Sequence, residues 1–391
     1  MNGDIAMTGV GLVAVHVGAG YHSEAKAKEY KRTCQEACLQ AIKLLKKKEN
    51  VVSAVVAAIL SLEDSECTNA GLGSNLTLDG CVECDASVMD GKTSHYGATG
   101  ALSGIKNPIQ VAEALLKYQS IPNTPLGRIP PCILVGKGAF DWAVTHGIAP
   151  CPASKMITDS SLRSYKKHRR KLDELTSHIS THQASNSPSK IRKPEELCSL
   201  DNSRTESVLN DTVGAICVDE FGNVAAAVSS GGIILKHSGR LGQAAMYGCG
   251  CWAQNGTKDE PSVAVSTSGC GEHLIRSLLA KECADSLVSD SNPSQAITGV
   301  LTKNFLGAEI LKDIPEKLGG ILALCCTRDG ENLEGELLWA HTTETMCIGF
   351  MSTLNQQAKS CISHLSDGAK AGQTLNLEGT TFRWKIHEST S

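Results

Sequence analysis

Aromatic side chains make up only 4% of this 391-residue chain. A core short of large rings has to be filled by small residues in closely spaced layers, and glycine, alanine and valine are plentiful here. No stretch approaches the ~20 consecutive apolar residues of a membrane-spanning helix, so no membrane partner is expected. The N-terminus lacks a basic segment followed by a long apolar stretch and a small-residue cleavage site; Val10 to Val17 is too short for a signal peptide and reads as a first strand. A large excess of charge of either sign is missing as well. With 37 basic and 41 acidic residues the net charge is −4, which argues against a polyanion binder overall and against direct nucleic-acid contact. None of the 12 histidines falls in an H-E-x-x-H pattern. The 17 cysteines are odd in number and irregularly spaced, as expected for reduced thiols in a reducing compartment. Cys81-Val-Glu-Cys84 is the sole C-x-x-C and has no second pair at zinc-site spacing, so neither a metal nor another cofactor is expected.

Periodicity assigns the elements. Residues 10–17 read as a strand, followed by a helix over 23–48, in which Tyr30, Cys34, Ala37, Cys38, Ala41, Ile42 and Leu45 recur at helical spacing. A helix over 51–62 is dense in alanine and valine and reads as buried. Further strands fall within 75–89, 99–103 and 131–135, with a helix from Pro108 to Leu116. The second half gives strands at 212–218, 224–230, 262–268, 320–326, 335–341 and 346–352, with helices near 271–286 and 294–312. Both halves contribute to what reads as a single composite domain. About 155–205 stands apart as a flexible, solvated insert, in which Lys166-Lys-His-Arg-Arg-Lys171 and Lys190-Ile-Arg-Lys193 flank a polar spacer. Two basic clusters so spaced suggest a bipartite nuclear address and a nuclear import receptor as partner.

At Asp211-Thr212-Val213-Gly214 a polar loop ends and a β-rich half begins. A chain that cuts itself before a threonine exposes an α-amine beside that residue's own hydroxyl, and the amine can act as the general base. By itself the junction reads as an ordinary strand start. The residues around it weigh for self-cleavage. Val224-Ala-Ala-Ala-Val-Ser-Ser-Gly-Gly232 completes a hairpin that returns Ser229 and Ser230 towards Thr212. Beyond it come Lys236-His-Ser-Gly-Arg-Leu-Gly-Gln243, Tyr247-Gly-Cys-Gly-Cys-Trp252 and Val263-Ala-Val-Ser-Thr-Ser-Gly-Cys-Gly-Glu-His273. The first half adds Val13-Ala-Val-His-Val-Gly-Ala-Gly20 and Thr68-Asn-Ala-Gly-Leu-Gly-Ser-Asn75.

Over nearly the whole chain, except about 155–205, this order resembles the asparaginase-like N-terminal nucleophile hydrolases. The resemblance implies an α+β fold, the four-layer αββα sandwich. It also implies cleavage between Asp211 and Thr212 into an α subunit (1–211) and a β subunit (212–391), with two such pairs associating as a dimer of heterodimers. By position Thr212 matches the nucleophile, Ser230 its hydrogen-bonded partner, and Ser268 with Gly269 the oxyanion hole. Arg240 matches the clamp on the substrate carboxylate, and Gly18 and Asn69 match contributors near the nucleophile. Lys26 is a candidate second carboxylate partner, although its helix is rich in lysine.

One departure separates sub-families. Small-molecule asparaginases and glycosylasparaginases carry Arg-x-Gly-Asp, whose aspartate holds the substrate's α-ammonium; here the run is Arg240-Leu-Gly-Gln243. A neutral residue there implies a substrate amine already in peptide linkage, as in the threonine aspartases, endopeptidases that cut after Asp. That resemblance implies protein substrates cut at hydrophobic-Asp-Gly sites, such as trithorax-type histone methyltransferases and the transcription factor IIA precursor. The alternatives are an asparaginase, isoaspartyl peptidase or glycosylasparaginase acting on small molecules, and a non-catalytic nuclear scaffold.

Overall fold

A computed structural model of the chain describes residues 9–121, 125–184 and 212–386. Strand β1 (Gly11–Gly20) leads through a 3-10 turn into α1 (Ala27–Lys46) and α2 (Val51–Glu63). The amphipathic stripe of α1 is buried from Tyr30 to Leu45. α2 begins where the Asn50 side chain accepts a hydrogen bond from Ser53 N at 2.8 Å, capping an orphan amide of the first turn. Then come β2 (Cys84–Asp90), β3 (Tyr96–Leu102), α3 (Pro108–Tyr118), β4 (Ile133–Val135), α4 (Gly136–Thr145) and α5 (Asp159–Ala184). The second half supplies β5 (Val213–Asp219), β6 (Val224–Ser230), β7 (Cys251–Gln254), β8 (Ser262–Gly269), α6 (Gly271–Arg276), α7 (Leu279–Ser289) and α8 (Pro293–Gly299). It closes with β9 (Gly319–Asp329), β10 (Asn332–His341), β11 (Thr345–Ser352), β12 (Lys359–His364) and β13 (Asn376–Lys385).

An eight-stranded sheet runs β12-β11-β1-β5-β6-β2-β3-β4, and a five-stranded one runs β13-β10-β9-β8-β7. The central strands of the larger sheet are buried on both faces, which explains why they read as unbroken apolar runs. Val13, Val15, Val17, Val213, Ala215 and Cys217 point at α1 and α2. Leu12, Ala14, Ile216, Val218, Ala226 and Val228 point the other way, into a core shared with β8, β9, α7 and α8. Helices, sheet, sheet and helices thus stack as the αββα sandwich of the N-terminal nucleophile hydrolases. The scarcity of rings is resolved by close approach: a Cβ on Gly349 of β11 would lie 2.6 Å from the Cβ of Cys34 on α1. The two halves interleave, because β1 lies between β11 and β5, and β6 lies against β2. Parting them after cleavage would open both cores.

Three expectations need correction. The insert is not loop throughout: residues 159–184 form α5. Its start is tied by Thr158 and Ser161, where Ser161 N donates to Thr158 Oγ1 at 3.1 Å. Leu162 and Tyr165 pack against the buried Leu76, Val82, Cys84 and Met156, and the pairs Arg169–Asp173 and Arg170–Glu174 run along its surface. A few apolar anchors suffice to hold a helix that composition alone marks as solvated. The second basic cluster, residues 190–193, lies outside the described residues. The helix expected over 271–286 breaks into α6 and α7 at Leu278, whose φ is 47°. That expected over 294–312 is α8 followed by a π-turn over Val300–Leu306 and a 3-10 turn.

Candidate active site

Thr212 stands at the mouth of β5, next to the central strand β1, and is 3% exposed. The β5–β6 hairpin pairs Val213 with Ser229, which brings Ser230 opposite Thr212. The Thr212 hydroxyl donates to Ser230 Oγ at 3.0 Å and accepts from Gln243 Nε2 at 3.0 Å. Ser230 Oγ also accepts from Gly232 N at 3.0 Å, so the serine fixes both the Thr212 hydroxyl and the turn behind it. Asn69 clamps the same turn: its Nδ2 donates to Gly232 O at 2.8 Å and its backbone carbonyl accepts from Gly231 N at 2.7 Å.

Thr212, Ser230, Asn69, Arg240, Gln243 and Gly269, with Gly271 and Ile233, line one cavity of about 10 Å³, room for a single water. Gly269 ends β8 at φ 132°, and a Cβ there would meet Leu318 O at 2.6 Å, so only glycine fits this wall. Arg240 is held by Glu272, its Nε donating to Oε1 at 2.9 Å and its Nη2 to Oε2 at 2.8 Å.

The other expected site residues sit elsewhere. Ser268 does not line the cavity; it is fully buried, and its Oγ accepts from Ala19 N at 2.9 Å, bracing the bulge of β1. Gly18, at φ 114°, forms that bulge and is not part of the cavity wall. Lys26 is exposed on the 3-10 turn before α1 and does not reach the cavity, because a charged side chain on that turn faces water. Asp211 lies outside the described residues.

Buried polar groups behind the cavity were not anticipated. His16, inside the apolar run of β1, has Nε2 2.9 Å from Ser266 Oγ. Burial pushes its imidazole down to about 3 despite the Thr212 backbone beside it, so the ring is neutral. Asp85 on β2 accepts from Ala101 N at 2.8 Å and from Gly242 N at 2.7 Å, anchoring the Arg240–Gln243 segment from below. Burial raises its carboxyl, opposed by Lys236, those two amides and Arg240. Glu63, at the end of α2, accepts from Ser229 Oγ at 2.7 Å and from Ile109 N at 3.1 Å. Burial lifts it to about 8 against these bonds, which leaves it protonated at neutral pH. The sequence carries a signal for one of the three: His16 is set within a run of buried apolar neighbours.

The arrangement suits acyl transfer: a threonine hydroxyl at a strand start, a hydroxyl partner, a glycine-lined wall and a guanidinium. Among known proteins, a match to the family described as asparaginase spans residues 10–360. A Rattus norvegicus isoaspartyl peptidase/L-asparaginase is 30% identical over 319 residues, 81% of each chain. The isoaspartyl peptidase of Salmonella typhimurium is 31% identical over 278 residues, covering 70% of this chain and 77% of its own. A plant-type L-asparaginase of Pyrobaculum calidifontis is 32% identical over 279 residues, 70% and 79% of the two chains.

Proposed function

The chain belongs to the asparaginase family of N-terminal nucleophile hydrolases, and from that premise we propose that it is a self-processing threonine endopeptidase of the threonine aspartase (taspase) kind, cutting proteins after Asp. The observation that carries this reading is Gln243. It stands against the nucleophile, where a residue binding a free α-ammonium would need a negative charge, and among the described residues lining the cavity none is acidic. A peptide-bonded aspartyl residue has a side-chain carboxylate for Arg240 and no free ammonium to satisfy.

In self-processing, the Thr212 hydroxyl attacks the Asp211 carbonyl. The Asp211–Thr212 amide becomes an ester on Oγ and the Thr212 nitrogen becomes a free amine. Water then opens the ester, releasing the Asp211 carboxylate and restoring the hydroxyl. In turnover that amine takes the Oγ proton as Oγ attacks the substrate's aspartyl carbonyl. The proton passes to the departing amine, and water hydrolyses the acyl-enzyme. Ser230 holds Oγ in place, and the Gly269 wall faces the developing oxyanion.

We extend the proposal to nuclear substrates with hydrophobic-Asp-Gly sites, to import through the basic segment, and to pairing of two α/β units. A second reading, hydrolysis of asparagine or β-aspartyl dipeptides, is favoured by the names of the relatives. One experiment decides. The self-processed protein is given a hydrophobic-Asp-Gly peptide, free asparagine and a β-aspartyl dipeptide, with Arg240→Ala as control. Cleavage of the peptide after Asp, lost in Arg240→Ala, supports the endopeptidase. Rapid hydrolysis of the small molecules with an intact peptide supports the second reading and refutes the first.

A further inference from the structure

The cavity as it stands admits one water, yet the proposed substrate must place a whole aspartyl side chain against Arg240. Something has to leave. The guanidinium has little freedom, being only 14% exposed. A Cβ on Gly232 or on Gly242 would each lie 3.0 Å from Nη1, so that end is packed against backbone on two sides. A Cβ on Gly271 would lie 2.8 Å from Nη2, which closes a third side. The remaining edge, Nε with Nη2, is the one Glu272 occupies in bidentate fashion. That fork is therefore already filled before a substrate carboxylate arrives. Lys236, the nearby alternative cation, is committed to the Glu83 carbonyl at 2.7 Å.

Glu272 is the movable partner. Its side chain is 52% exposed, so rotation away from Arg240 returns it to water at little cost. Its backbone stays fixed, because the start of α6 is tied down: Cys270 N donates to Leu318 O at 3.0 Å and Leu318 N donates to His273 Nδ1 at 3.3 Å. Burial would raise the Glu272 carboxyl, but the hydrogen bonds and charge of Arg240 outweigh it and hold the group below its ordinary value, so it is ionised and competes as an anion at neutral pH.

We propose that Glu272 is an internal carboxylate seated on Arg240 that the substrate's aspartyl side chain must displace, and that this exchange sets the affinity and carboxylate selectivity of the site. The inference rests on the reading of Arg240 as the aspartyl clamp. Exchange of one carboxylate for another leaves the net charge at Arg240 unchanged. A substrate lacking the carboxylate, an Asn or Ala at that position, cannot displace Glu272 and finds the pocket shut. Selectivity for Asp thus comes partly from what holds the empty site closed.

The test compares self-processed wild type with Glu272→Gln, which keeps the shape and removes the charge. Succinate, a small dicarboxylate, is titrated by calorimetry, and the kinetics of a hydrophobic-Asp-Gly peptide are measured. Succinate should bind the variant more tightly by about three- to tenfold, and the peptide's KM should fall by a similar factor, the change lying in KM rather than kcat. Unchanged succinate affinity overturns the proposal. Weaker binding also overturns it, since Glu272 would then be orienting Arg240 rather than competing for it. If Glu272→Gln fails to fold, Glu272→Asp, whose shorter arm loosens the bidentate contact, should shift binding in the same direction by less, and no shift refutes the idea. A wild type that never cuts Asp peptides removes the endopeptidase reading, yet the succinate comparison still decides the competition at Arg240.

Discussion

Gly214 lies two residues beyond the nucleophile, opposite His16 in the β1–β5 pairing. A Cβ there would lie 2.0 Å from Ser266 Oγ and 2.2 Å from His16 Nε2, the two atoms that share the 2.9 Å hydrogen bond. Both side chains are fully buried in a packed interior, so neither has open space to move into. Gly214→Ala therefore both overpacks the site, at about 1–3 kcal/mol, and breaks a buried hydrogen bond, at about 1–3 kcal/mol. The expected loss of ~2–6 kcal/mol corresponds, for a chain of this length, to a drop in melting temperature of roughly 2–7 °C. The proper assay is thermal unfolding in a Thr212→Ala background, where every molecule is one uncut chain. In the self-processing background the displaced His16 disturbs the start of β5 beside Thr212, and cleavage followed on denaturing gels should slow by roughly 10–100-fold. Adding Ser266→Ala removes the closer of the two clashes and should recover ~1 kcal/mol as a coupling between neighbours. If Gly214→Ala melts with its parent and cuts at the parental rate, the account of Gly214 as the close approach that the His16–Ser266 pair requires is wrong.

Thr212→Ala should remain a single 391-residue chain on a denaturing gel, whereas the wild type should give fragments of 211 and 180 residues (391 − 211 = 180) that stay associated on gel filtration; cleavage persisting in the variant would refute the mechanism. Glu63 has a folded pKa raised from 4.5 to about 8, so the folded state holds the proton more tightly. The stability this gives is complete below the unfolded value and is lost as pH rises through 8, by about 1.4 kcal/mol per pH unit in that window. Glu63→Gln, which keeps a hydrogen-bonding amide, should flatten the fall in melting temperature between pH 5 and 8; a variant with the wild-type slope would assign the titration elsewhere. On α5, Lys166, Lys167, Arg170 and Lys171 are exposed, whereas Arg169 donates to Leu78 O at 2.9 Å. Neutralising those four while sparing Arg169 should move the protein from nucleus to cytoplasm with self-processing intact, and a variant that stays nuclear by imaging removes the address.

Strand pattern carried most of the architecture in the sequence because the central strands are buried on both faces. Runs such as Val213–Val218 and Val224–Val228 have nothing polar to interrupt them, and β6 is found over the residues expected, 224–230. The breaks were hidden for a different reason. Leu278 takes a left-handed φ without the glycine that marks such turns, and the π-turn at Val300–Leu306 keeps the apolar spacing of a helix while shifting its register. α5 was hidden because its polar surface swamps the few residues that dock it. The site divides along the same line. Thr212, Ser230, Asn69, Arg240, Gln243 and Gly269 sit in loops and strand ends that resemble a known pattern, and they meet at one cavity. Ser268 follows strand alternation instead: it neighbours Gly269 in β8, yet its side chain turns to the bulge of β1. Adjacency in sequence did not distinguish the residue that lines the cavity from the one that braces the wall behind it. His16 was passed over as an isolated polar residue in an apolar run, and Glu63 and Asp85 because each stands near other acidic residues; the role of all three depends on contacts 16 to 250 positions away. These three show how the fold supports the reaction. The Thr212 hydroxyl is set by partners within the cavity, while the strands beside it and the Arg240–Gln243 segment are held by buried groups on β1, α2 and β2, all three before the Asp211–Thr212 junction and acting on residues after it. Were the chain cut at that junction, keeping the halves together would therefore be a condition of catalysis as much as of stability.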